Sequence, residues 1–289
     1  MEFRQIRYFL EIHRQGSFSK AASALGLTQP ALSRQIAVLE RELGHTLFER
    51  STRKISLSPA GQRLLKNAVA LQDLWEETVE SLQSPENATD LQGDFRISTG
   101  GTIAAYVLPS LIKKLRKSHP ELTLQILEGD LRTSRESVIW GDADLGILTE
   151  EEYHPDLEYR TFLDDEIVPV VASQHPLARK KGKILIREME KWDILFYHPQ
   201  SAIRRTVETA LRKQPSLELK ISMELRSVDA VIRSVEAGLG IGFVSRRSAR
   251  GLTILNCPEL FARRSFSLCW RKSRPTLQRL ARALLAQLK

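Results

Sequence analysis

Two cysteines, three methionines and 7% aromatic residues are little for a chain of 289 residues. Cys257 and Cys269 lie twelve apart with no histidine beside either, which fits neither a zinc pattern nor a disulfide framework and predicts reduced, structural thiols. No apolar run approaches the roughly 18 residues that cross a bilayer, and no low-complexity tract is present. The six histidines are scattered, without His-x-x-x-His spacing or a nucleophile elbow, so the expectation is a protein that is neither metal-dependent nor an enzyme and uses no cofactor. Charges in Met-Glu-Phe-Arg-Gln-Ile-Arg stand where a secretory leader needs apolar residues, and the expected location is the cytoplasm, with no membrane partner.

What is abundant is base. Lysine and arginine outnumber aspartate and glutamate by 43 to 35, giving a net charge of +8 and a pI near 9.6, which favours polyanionic partners. The length allows two or three domains, each with its own core.

Residues 1–58 hold short helical patterns punctuated by Gly16 and Gly26. Ser19 and Thr28 are placed to cap successive helices, with Gly26 and Leu27 as the turn between them. Ala21 and Ala22 allow a close helix crossing, while Phe18, Leu25, Leu27, Leu32, Ile36 and Leu39 build one apolar face. The helix over 28–43 then offers Thr28, Gln29, Pro30, Ser33 and Arg34 near its start, where a recognition helix meets base edges: Gln suits adenine and Arg suits guanine. Residues 48–57 alternate as a hairpin whose tip carries Arg50, Thr52, Arg53 and Lys54, side chains suited to phosphates or a minor groove.

Ser58-Pro59 predicts the cap and first position of a longer helix, 59–84. Along it Leu64, Ala68, Leu71, Trp75, Thr78 and Leu82 alternate spacings of four and three, a seam that predicts pairing with a second copy, the alternative being an amphipathic helix packed on its own domain. Ser84-Pro85-Glu86-Asn87 and the polar residues after it mark a hinge over 85–92. Beyond it, strand runs at 95–98, 122–127 and 145–148 alternate with helices near 108–115 and 138. A second set follows: strands at 167–171, 194–197, 217–223 and 241–244, with helices at 203–211 and 228–237. This order predicts two mainly parallel α/β lobes within 93–289, lobe I over about 93–162 and 265–289 and lobe II over about 163–264. From Arg263 onward eight lysines or arginines and no acid predict a last strand and helix with a basic outer face.

The series Phe18-Ser-x-Ala-Ala, Thr28-Gln-Pro-Ala-Leu-Ser-x-Gln-Ile, Leu39-Glu, Leu43-Gly, Leu47-Phe-x-Arg and Thr52-x-x-Ile-x-Leu-Ser-x-Ala-Gly resembles the N-terminal module of LysR-type transcriptional regulators. The resemblance implies a winged helix-turn-helix, a linker helix that dimerises, and an α/β effector domain like a periplasmic solute-binding protein. It also implies double-stranded DNA, further copies up to a homotetramer, RNA polymerase and a small-molecule effector, often an organic anion, as partners. Carried over position by position, Thr99, Gly100 and Thr102 after the first strand, and Ser201, Ala202 and Ile203 opening a helix in the facing lobe, would hold an anion between two helix N-termini. Gly129, Asp130 and Ser227 match further cleft positions of the family.

Some residues stay open. Ser201 and Ser227 serve equally as helix caps, His198 either senses pH or pairs with an anionic effector or does neither, and Arg204 and Arg205 either clamp a carboxylate or face solvent. Gly238-Leu-Gly-Ile-Gly242 follows a helix and enters a strand, the reverse of a phosphate loop. A solute-binding protein without a DNA role is the alternative reading, and it leaves residues 1–58 unexplained.

Overall fold

The computed structural model describes residues 1–50, 55–83, 91–149, 153–212 and 217–287. Ile6, Phe9 and Leu10 recur on one stripe of helix α1 (Phe3–Gln15), which stops where Gly16 turns left-handed at φ +58°. The next helix starts two residues earlier than the sequence suggests. Ser17, not Ser19, caps α2 (Phe18–Ala24) by accepting the Lys20 amide, because Phe18 must be helical to reach the core that it shares with Ala21 and Ala22. Thr28 caps α3 (Gln29–Leu43), whose Leu32, Ile36 and Leu39 are wholly buried against Ile6, Phe9 and Ala21.

Strands β1 (Phe48–Arg50) and β2 (Ile55–Leu57) pair antiparallel as the two sides of a wing. Ser58 then accepts the Gly61 amide at 3.0 Å and opens α4 (Pro59–Gln83), about 37 Å long at 1.5 Å per residue. Gly61 lies so close to the wing that a Cβ there would stand 2.1 Å from the Leu47 carbonyl oxygen. Leu65, Ala68 and Val69 bury into the N-terminal core, whereas Leu71, Leu74, Trp75, Thr78 and Leu82 are exposed. Ala68 therefore packs within its own module and does not belong to the exposed stripe.

The remaining chain forms one sheet in the order Leu122–Glu128, Gly93–Thr99, Leu145–Leu148, Arg263–Arg271, Leu157–Val171, Ile241–Ser245, Ile194–Tyr197, Ile221–Leu225, with β10 (Thr253–Ile254) beside the strand Leu157–Val171. In lobe I, β3 (Gly93–Thr99), α5 (Gly101–Tyr106), α6 (Leu108–Ser118), β4 (Leu122–Glu128), α7 (Leu131–Ile139) and β5 (Leu145–Leu148) alternate, and β3 runs parallel to both β4 and β5. In lobe II, β7 (Ile194–Tyr197), α8 (Ala202–Leu211), β8 (Ile221–Leu225), α9 (Val228–Glu236) and β9 (Ile241–Ser245) do the same around β7. Separate cores follow, one around Ile97, Leu115, Leu268 and Leu284, the other around Val170, Phe196, Val231 and Phe243. The last helix, α10 (Leu277–Ala286), packs on the first of them.

Three details differ from the sequence reading. The strand expected at 167–171 is the end of a 15-residue strand, β6 (Leu157–Val171), and β11 (Arg263–Arg271) runs antiparallel to β5 and β6, as β6 does to β9. The sheet is therefore mixed where the lobes join, because two chain crossings between lobes bring oppositely directed strands together. The strand expected at 217–223 is regular only over Ile221–Leu225, and it is a sheet edge with residues 221–224 exposed. The basic C-terminal stretch does not simply face outward: Arg264, Arg271 and Arg274 are buried and ion-paired with Asp165, Asp73, and Asp144 plus Glu76. Most of the predicted hinge, residues 85–90, lies outside the described residues, as does Ser84 before it.

Candidate functional site

Two surfaces gather the residues singled out from the sequence. The first is the N-terminal end of α3. Thr28, Gln29, Pro30 and Arg34 are exposed and Ser33 is half-buried, opposite the face that carries Leu32, Ile36 and Leu39. The Gln29 amide nitrogen donates to the Ser33 hydroxyl at 3.1 Å, which restricts the glutamine before any base is met. Arg34 enters no ion pair among those of the described residues, so its guanidinium is available to a base edge or phosphate. Arg50 ends β1 opposite Ile55, while Thr52, Arg53 and Lys54 lie outside the described residues.

The second surface is a cavity of about 330 Å3 between the lobes. Gly100 and Thr102 reach it from the start of α5, Gly129 and Asp130 from the turn after β4, and Ser201, Ala202 and Ile203 from the start of α8, with His198 beside them. Two nominated residues do not line it. Thr99 is fully buried, its hydroxyl donating to the Ile147 carbonyl at 2.9 Å, since a residue at the end of the central strand β3 points into the sheet layer. Ser227 caps α9 by accepting the Ala230 amide at 3.1 Å. Ser201 behaves differently: it precedes α8 without making a side-chain cap, and its hydroxyl stays uncommitted at the cavity wall. Arg204 turns away to the Tyr197 carbonyl, Glu208 and Glu224, and Arg205 does not reach the cavity.

The sequence reading missed several lining groups. Arg264, on β11, donates to Asp165 at 2.9 Å and to the Thr102 hydroxyl at 3.3 Å, so a lobe-II ion pair touches lobe I. Burial pushes the Arg264 guanidinium below its usual range, against the pull of Asp165. Exposed Arg226 stands at the rim, and the buried hydroxyls of Tyr197 and Ser134 line the cavity without a hydrogen-bond partner. Burial also raises the Tyr197 phenol. Only the alternation of β11, Arg264 and Phe266 facing one way, hinted at these positions.

Charge at the cavity is locally managed. Burial would raise the Asp130 carboxyl, but the Thr133 amide and hydroxyl and nearby His198 hold it below the usual carboxylate range. Its role is to cap α7. Across the cleft mouth Tyr106 donates to Asp229 at 2.7 Å, linking α5 of lobe I to α9 of lobe II, and burial followed by that carboxylate pushes its phenol up to about 12.

A helix-turn-helix with a wing is joined by one long helix to a two-lobed α/β domain, and both halves match models of one family. Residues 3–62 match its model, described as bacterial regulatory helix-turn-helix protein, lysR family, and residues 88–289 match the LysR substrate binding domain. The chain belongs to the LysR family. This LysR protein is 34% identical over 246 residues to a probable RuBisCO transcriptional regulator of Porphyra purpurea, covering 83% of this chain and 77% of the relative. A full-length OxyR variant from Pseudomonas aeruginosa superposes with a TM-score of 0.80 at 22% identity, over 100% of this chain and 94% of that one. The regulatory domain of Synechocystis PCC6803 CcmR, in complex with 2-PG, superposes with a TM-score of 0.62 at 23% identity, over 68% and 98% of the respective chains. The protein is thus a LysR-type DNA-binding transcriptional regulator with an effector-binding domain.

No helix among the described residues is long and apolar enough to cross a membrane, and none of their His, Cys, Asp and Glu residues cluster in a way that would hold a metal ion. Cys257 and Cys269 are buried and form no disulfide.

Proposed function

We propose that this regulator binds a small organic anion between its lobes, and that occupancy changes how paired copies of α3 hold double-stranded DNA. The observation that carries this reading is the gathering of unspent donors at one cavity: the Ser201 hydroxyl, the first amides of α8, and the unpartnered hydroxyls of Tyr197 and Ser134. A buried hydroxyl left unpaired is unfavourable by about 1–3 kcal/mol, so two at one cavity favour a polar guest. An anion suits the place because helix N-termini carry partial positive charge and Arg226 adds a full one, while Asp130 is already occupied by the amides of α7. Gly100, Thr102, Gly129, Ser201, Ala202 and Ile203 are the contacts, and Thr99 and Ser227 support them from behind. The protein acts by binding, without cofactor or catalysis, in the cytoplasm.

On the DNA side, Gln29, Pro30, Ser33 and Arg34 read bases and the wing grips backbone. The exposed Leu71, Leu74, Trp75 and Leu82 of α4 pair two copies, and two pairs form a tetramer that meets RNA polymerase. The division is 1–58 for reading, 59–84 for pairing, 85–92 for the hinge and 93–289 for effector binding. The 2-PG in the CcmR domain makes that compound the first probe. The test is a thermal-shift series with 2-PG and a panel of small carboxylates and phosphates on the full chain and on Ser201→Ala. A compound that raises the melting temperature of the parent and not of the variant supports the cavity; identical shifts in both overturn it.

A further inference from the structure

The two ends of strand β11 touch different things. Near its start Arg264 sits in the cleft on Asp165 and Thr102. At its end Arg271 leaves the effector domain's own core and meets Asp73 of α4 in a two-pronged ion pair, Nε to Oδ2 at 2.8 Å and Nη2 to Oδ1 at 3.0 Å. Both side chains are almost completely buried, at 5% and 3% exposure. The third guanidinium nitrogen donates to the Val138 and Ala143 carbonyls, and Ser273 donates to the same Asp73 carboxylate. Around this pair Arg274 joins Glu76 to Asp144, the Thr276 amide donates to Glu77, and Arg14 of α1 reaches Asp142. Trp140 of lobe I completes the contact by packing against the N-terminal core.

We propose that Arg271 is the positioning residue through which the cleft sets the linker helix, with β11 as the connection. The eight residues from Arg264 to Arg271 span about 23 Å of extended backbone, paired with β6 along their length except for a register shift between Phe266 and Ser267 and with β5 over Ser267–Trp270, so a displacement at one end is carried along the strand to the other. A buried ion pair suits a switch, since a partly broken one leaves desolvated charge; the pair is made or it is lost. The DNA-binding module and lobe I then move as one body while the pair holds, and the covalent hinge is not the only route between them. The inference rests on the cleft being the regulated site, but its test needs no effector.

Hydrogen–deuterium exchange is measured on the full chain as parent, Arg264→Lys, Asp73→Asn and the double variant. Arg264→Lys is expected to raise exchange in peptides over 66–79 about tenfold while α10 stays protected, and to add nothing further in the Asp73→Asn background. No change over 66–79, or an equal rise in α10, overturns the proposal. Should Asp73→Asn fail to fold, Asp73→Glu, which keeps the charge, is expected to restore the response to Arg264→Lys, and its failure to do so also overturns it. Loss of the thermal shifts described above, with the exchange pattern intact, would instead count against the cleft as an effector site.

Discussion

Asp165→Asn isolates the electrostatics of the cleft. In the parent, Arg264 and Asp165 have side-chain exposures of 7% and 1%, and Asp165 also accepts the Ser245 hydroxyl at 2.5 Å. The substitution keeps shape and the Ser245 contact but strands a guanidinium whose nearest other acceptor is the Thr102 hydroxyl at 3.3 Å. Removing one partner of a buried pair is destabilising by about 3–5 kcal/mol, a large part of the roughly 5–15 kcal/mol that holds a domain together. For a unit of this size that lowers the melting temperature by roughly 6–20 °C. The assay is thermal unfolding of the full chain by circular dichroism, with the Asp165→Leu/Arg264→Met double variant as control. The control should recover most of the loss, because replacing both charges removes the desolvated ion. An Asp165→Asn melting point within about 2 °C of the parent would refute the assignment of Arg264 as a buried cation that depends on its partner.

Arg34→Ala should weaken binding to an operator selected from random DNA by about 1–3 kcal/mol and weaken binding to unrelated DNA far less, as measured by fluorescence anisotropy. Leu39→Ala removes a fully buried side chain of α3 and should lower stability of the N-terminal module by about 2–5 kcal/mol in urea titration. Trp75→Glu places charge in the exposed stripe of α4 and should shift the parent oligomer toward monomer in sedimentation velocity. His13 stacks edge-on with Trp140, and burial holds its pKa below the ordinary 6.5, with Asp142 opposing and Arg14 adding to the shift. Its folded pKa lies below its unfolded one, so the contribution to stability is present above about pH 6.5 and lost as pH falls through the folded value. Melts from pH 7.5 to 5 should therefore decline less steeply in His13→Gln.

The helix-turn-helix was legible because its signals are local. Caps, a left-handed glycine and apolar spacing of three and four act within one or two turns, so Thr28, Gly26 and Leu32 could be assigned without knowing anything distant. The misplacement of the α2 cap shows the limit of that logic. Ser17 and Ser19 are equivalent caps locally, and the choice falls to Phe18, which packs edge-on to Phe48 from the wing 30 residues later. In the cleft, residues that open helices were found for the same local reason, but Thr99 and Ser201 were indistinguishable in sequence. Both are hydroxyls between a strand core and a helix start; one, the last residue of β3, is spent on Ile147 and the other is not.

What the sequence alone determined is therefore most of the elements, the polar face of α3 and the alternation of strands and helices that makes two lobes. What only the tertiary structure decided is where charge goes. A run of basic residues such as Arg264, Arg271 and Arg274 looks like a solvated face until its partners arrive from Asp165, Asp144, Glu76 and Asp73, 99 to 198 residues away. Capping and amphipathicity are settled by neighbours along the chain, whereas the burial of an ion depends on a counter-ion that folding alone brings within 3 Å.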